Sequence, residues 1–156
     1  MRVLIVVVGR VRGDLRDAVA EYERRAGRYW KLDVVEVGAG GRGRDTPPEV
    51  VKTQEAERLL GRIPPEVEIV ALTREGTGMD SDALSRYLEQ HAVRASAGVA
   101  FVIGGAFGLG SEVLDRARRQ LTLSSMTLPH EMARLVLAEQ LYRAGTILRG
   151  EPYHKG

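Results

Sequence analysis

Val3 to Val8 reads VLIVVV, six aliphatic residues with no polar one among them. Successive side chains of a strand face opposite sides of its sheet, so a strand with one wet face alternates in polarity. An unbroken apolar run needs cover on both faces, which is the situation of a central strand in a parallel sheet. Val99 to Ile103 (VAFVI) makes the same demand a second time. Two such strands far apart in the chain require helical crossovers between and around them.

The segments between them read accordingly. Asp14 can cap a helix with Leu15, Ala18, Val19, Tyr22 and Ala26 on one face and Gly27 at its end. Leu32 to Val37 is a second strand. Gly38 to Arg44 (GAGGRGR) holds four glycines and two arginines, the composition of a mobile surface loop able to touch phosphate. Thr46, Pro47 and Glu49 match a capping box, opening a helix to about Leu60. Val67 to Leu72 is a third strand, followed by a loop Thr73 to Gly78, and Asp80 or Ser81 opens a helix carrying Leu84, Tyr87, Leu88 and His91. After Ile103 come a glycine turn to Gly110, a helix from Ser111, a short strand ending near Leu123, a polar loop, and a long helix opened by Pro129. Alternating strands and helices predict an α/β fold with a mostly parallel sheet and helices on both faces.

Length and composition narrow the function. A chain of 156 residues with 44% hydrophobic residues suits one domain, residues 1–156, with a real core. No apolar run is long enough to span a membrane or patterned as a signal peptide, so a soluble cytoplasmic protein is expected. The absence of cysteine excludes disulfides, thiolate metal sites and cysteine nucleophiles. Among 23 basic residues only Lys31, Lys52 and Lys155 are lysine. Arginine forks suit phosphate and carboxylate, although a GC-rich or thermophilic source produces the same bias.

Ligands of open parallel sheets bind at the carboxyl ends of the strands, which directs attention to Gly104–Ser111 and Leu123–His130. The dinucleotide fingerprint fails because Val113 stands where its third glycine belongs, and a P-loop fails because Ser111 replaces the lysine. What remains is a glycine loop that allows close backbone approach. The loop LSSMTLPH has hydroxyls, a thioether and apolar groups, suited to a mixed polar and apolar ligand or to a plain connection. The last helix, with Met132, Leu135, Val136, Leu141, Tyr142 and Ile147 expected to be buried, has too wide an apolar face for one sheet contact, which predicts a place deep in the core or, favoured in so small a protein, a subunit interface. Glu139 and Arg143 are spaced as a helix-surface ion pair. The tail Pro152-Tyr153-His154-Lys155 offers stacking, a titratable base and a phosphate contact.

Taken together, these residues resemble the ribosomal large subunit RNA methyltransferase H family of the SPOUT class. The likeness rests on Val8-Gly9, Ala20 to Arg25 (AEYERR), Val102 to Gly105 with Gly108-Leu109, Leu123 to His130, Ala138 to Ala144 (AEQLYRA) and Pro152 to Lys155. It departs from the family pattern at Ala106-Phe107. The resemblance implies a C-terminal trefoil knot, an exception to the rule against threaded chains. It also implies S-adenosylmethionine as methyl donor, a homodimer, and methylation of N3 of a pseudouridine in 23S RNA of the assembled ribosome. Carried over by position, donor contacts fall on Leu72, Gly104, Leu123, Ser124, Ser125, Met126, Thr127 and Leu128.

An imide N3–H must lose its proton before it attacks a methyl group. His154 is the candidate base, Tyr153 the group that positions the uracil ring, and Lys155 or Arg149 the phosphate contact. The three histidines form no ligand cluster in the sequence, and no metal is expected. The alternative is a non-catalytic nucleotide-binding module of the same fold, which has no need of Tyr153 and His154.

Overall fold

The computed structural model describes residues 1–154. Five strands, β1 (Arg2–Val8), β2 (Lys31–Val37), β3 (Glu68–Gly78), β4 (Val99–Ile103) and β5 (Arg119–Thr122), form one sheet in the order β2-β1-β4-β3-β5. Every pairing in it is parallel. Five helices alternate with the strands: α1 (Arg16–Ala26), α2 (Pro48–Leu60), α3 (Ser81–Val93), α4 (Ser111–Arg116) and α5 (His130–Leu148).

The apolar run of β1 explains the layers. Val3, Ile5 and Val7 face one cluster with Phe101, Leu88 of α3 and Leu137 and Leu141 of α5. Leu4, Val6 and Val8 face the other, with Leu59 of α2 and Val113 of α4. None of the six is more than 2% exposed, and full burial of such a side chain contributes roughly 1.5–3 kcal/mol. Helices α1, α3 and α5 therefore cover one face and α2 and α4 the other. Because β4 feeds α4 on one face while β1 and β3 feed helices on the opposite face, crevices open at the carboxyl ends on both sides of β4.

Several local expectations are corrected. Asp14 lies inside a 3-10 turn (Gly13–Leu15), and α1 starts without a side-chain cap. Thr46 forms no capping box either: its Oγ1 accepts from the Arg42 amide at 2.8 Å, while Glu49 pairs with Lys52. Gly38–Arg44 is pinned to α2 rather than loose. The Gly40 and Gly41 amides donate to Glu55 Oε2 (2.9 Å) and Gln54 Oε1 (2.7 Å), and Arg58 donates to the Gly38 and Ala39 carbonyls. Thr73–Gly78 continues β3, with a register shift against β5 between Leu72 and Thr77.

On α5 the buried residues are Arg134, Leu137, Ala138, Leu141, Ala144, Gly145 and Thr146. Of the six expected there, only Leu141 is buried; Met132 is exposed, and Leu135, Val136, Tyr142 and Ile147 are half-buried. Small residues explain the difference. Ala144 and Gly145 let α5 close onto α1 and Tyr29 beside the buried Leu137 and Leu141, so the other large apolar side chains of the helix are left partly outside.

Candidate active site

A cleft of about 500 Å³ opens at the carboxyl ends of β3, β4 and β5, within the size range of small-molecule sites. Leu72, Gly104, Leu123, Ser124, Met126, Thr127 and Leu128 line it. Ser125 alone of the expected donor residues does not. Apolar walls from the leucines and Ile103 beside backbone from the glycine loop suit a nucleoside with a charged tail.

The loops are built to hold this shape. Gly108 donates its amide to the Gly105 carbonyl at 3.1 Å and adopts φ +83°. A Cβ on Gly104 would stand 2.7 Å from the Gly108 carbonyl carbon, so glycine is required there by the closure of the loop itself. Beneath the loop lies Glu55 of α2, 3% exposed, with Oε2 bound to the Gly40 amide and Oε1 without a protein partner. Gly105 packs on that carboxylate, where a Cβ would lie 3.0 Å from Oε1. One carboxylate thus braces two glycine-rich loops. On the other side, Arg74 Nη1 donates to Thr127 Oγ1 at 2.8 Å, and the Met126 amide donates to Ser124 Oγ at 2.9 Å.

His130 and Phe107, which fall inside the two loops named from the sequence without an assigned role, and Arg74, which the sequence did not single out, also line the cleft. His130 begins α5, and a Cβ on Gly9 would be 3.5 Å from its Nε2. Phe107 is 51% exposed at the rim, as is Met126 at 75%.

Pro152–His154 forms a 3-10 turn laid on α5. Tyr153 donates its hydroxyl to Glu139 Oε1 at 2.9 Å and packs on Tyr142 with ring centroids 4.5 Å apart. Glu139 is therefore more than half of a surface pair. It also takes Arg143 at 3.0 and 2.5 Å and the Gln140 amide at 2.7 Å. Burial, with Tyr22 and Glu139 alongside, pushes the Tyr153 phenol above its usual range, so it stays protonated at neutral pH. His154 Nδ1 lies 3.4 Å from Thr146 Oγ1. Arg149 stacks over Tyr29 at 4.6 Å. Lys155 lies outside the described residues.

Tyr153 and His154 do not reach the cleft of their own chain. From His130 at the cleft to Thr146 beside His154 is about 24 Å along α5 at 1.5 Å per residue. Glu139, which holds Tyr153, is half a revolution around the helix from His130.

Among the described residues, no three His, Asp or Glu side chains converge as metal ligands would, and no helix is long and apolar enough to cross a membrane. A family model described as "Predicted SPOUT methyltransferase" matches residues 1–154. A curated relative from Gemmatimonas aurantiaca, named Ribosomal RNA large subunit methyltransferase H, is 53% identical across 99% of this chain and 100% of its own length.

Proposed function

The chain belongs to the SPOUT methyltransferase family, and from that premise we propose that it transfers a methyl group to N3 of a pseudouridine in 23S RNA of the assembled ribosome. The observation that carries this reading is the 53% identity, end to end, with a ribosomal RNA methyltransferase. When bound, S-adenosylmethionine supplies an electrophilic sulfonium methyl. Leu72, Gly104, Leu123, Ser124, Met126, Thr127 and Leu128 would hold it, the leucines offering apolar surface and the loop backbone polar groups.

His154 accepts the N3 proton, which frees the ring nitrogen to form the new bond. Tyr153, held protonated, orients the uracil as a donor and stacking surface, while Lys155 and Arg149 meet phosphate. The distance of this tail from its own cleft calls for a second copy. In a homodimer packed through the outer apolar residues of α5, Met132, Leu135 and Val136, each tail serves the cleft of the other subunit. The C-terminal knot expected of the family would fix the loops after β4 and β5 around the donor. A ribosomal substrate places the reaction in the cytoplasm.

The test is tritiated methyl transfer to undermethylated ribosomes and to protein-free 23S RNA side by side. With a net charge of only +2, the protein should label ribosomes and leave the bare RNA nearly unlabelled. Equal rates on both would contradict the ribosomal substrate.

A further inference from the structure

A second cleft, about 480 Å³, opens at the carboxyl ends of β1 and β2, and no step of the proposed chemistry uses it. Its edge is the turn between β1 and α1, which carries Arg10 and Arg12, together with Arg16 at the start of α1. Gly9 at φ +85° and Gly13 at φ +73° shape that turn, a backbone region that side-chain-bearing residues rarely enter. All three arginines are exposed, and none makes an ion pair among the described residues. Asp14 and Asp17 nearby leave them unpaired.

The floor is different. Arg134 of α5 is 7% exposed and locked between two carboxylates, donating to Glu23 at 2.7 and 3.1 Å and to Glu36 at 2.6 Å. This guanidinium is committed to the fold, and with Glu23 and Glu36 it leaves the floor one negative charge. Three free guanidiniums at the edge outweigh that charge. The result is a stiff cleft with a positive mouth, and arginine forks match phosphate oxygens in pairs.

The two clefts share a wall. His130 and Ala133 line the first, and Arg134, the next residue of α5, lines the second. An occupant reaching both must be extended and anionic. We propose that Arg10, Arg12 and Arg16 seat backbone phosphates of the RNA strand that presents its nucleotide to the first cleft. This inference rests on the methyltransferase reading.

The test compares wild type with the triple variant Arg10→Gln, Arg12→Gln, Arg16→Gln, using Arg94→Gln at the far end of the sheet as a control for loss of exposed charge. The triple variant should raise KM for undermethylated ribosomes on the order of tenfold or more. It should also flatten the dependence of log KM on log salt by about 2, the slope due to three phosphate contacts on a single strand. Affinity for S-adenosylmethionine by calorimetry, mass by light scattering, and the KM of Arg94→Gln should all match wild type. An unchanged KM and salt slope would overturn the proposal. So would a monomeric triple variant, which would make the cleft a subunit contact, or an equal loss of S-adenosylmethionine affinity, which would make it part of the donor site. A wild-type protein inactive on ribosomes would instead strike the methyltransferase reading itself.

Discussion

Replacing Glu139 with Ala should unfasten the tail while leaving the donor cleft intact. The carboxylate accepts from Tyr153 at 2.9 Å and from Arg143 at 3.0 and 2.5 Å in a half-buried setting. A hydrogen bond to a charged group is worth roughly 1.5–3 kcal/mol when well buried, and partial exposure brings the Tyr153 bond nearer to about 1 kcal/mol. The Arg143 pair adds about 0.3–0.5 kcal/mol to the helix. A loss of about 1 kcal/mol lowers the ratio of docked to undocked tail about fivefold, and kcat/KM for ribosomes should fall by up to that factor. Tyr142 still packs on Tyr153, so the loss should stop well short of inactivation. Tyr153→Phe should reproduce most of it. Glu139→Gln should recover most of the activity, since an amide oxygen still accepts the phenol. Methyl transfer to undermethylated ribosomes and calorimetry with S-adenosylmethionine form the paired assay. Full activity of Glu139→Ala, or a donor affinity that falls in step with turnover, would refute the reasoning.

Mixing two inactive proteins tests the exchange of tails. A His154→Ala subunit paired with one whose cleft is blocked, for example by Leu72→Trp, should restore about a quarter of wild-type activity, because half the dimers are mixed and each has one working site; no recovery would place tail and cleft in the same chain. Leu135→Glu should yield monomers in light scattering and abolish methyl transfer, since a buried unpaired charge is costly. A dimeric, active Leu135→Glu protein would move the interface elsewhere. Gly145→Ala should destabilise the fold by about 1–3 kcal/mol, because a Cβ there overlaps the Tyr29 ring, which is tied to Glu151 at 2.5 Å; urea denaturation with an unchanged midpoint would disprove that packing.

The central strands were legible because burial on both faces leaves an unmistakable mark on composition. Val99–Ile103 matches β4 residue for residue, and Val3–Val8 falls one residue short of β1. Helix starts were less legible. Thr46 has the residue type and spacing of a cap, but its hydroxyl finds a nearer partner in the Arg42 amide, and sequence alone cannot rank two local acceptor roles. The inner face of α5 was partly misread because, besides Leu137 and Leu141, it holds Ala138, Ala144 and Gly145, which fit close contacts without registering as hydrophobic bulk. The loops that line the first cleft were located from the rule that ligands sit at strand ends, with the resemblance supplying the chemistry expected of them. Long-range partners left no trace in the spacing. Glu55 under the glycine loops, His130 in the cleft wall and Glu139 under Tyr153 each act across contacts that only the folded chain brings together.

The most direct test of the account is to identify the methylated atom. Ribosomes from a strain lacking the modification are incubated with the protein and labelled S-adenosylmethionine, and their 23S RNA is digested and resolved by mass spectrometry against nucleoside standards. The account predicts one labelled nucleoside, a pseudouridine methylated at N3, and no label with His154→Ala. Label on a different atom or a different nucleoside, or undiminished N3 methylation by His154→Ala, would contradict it.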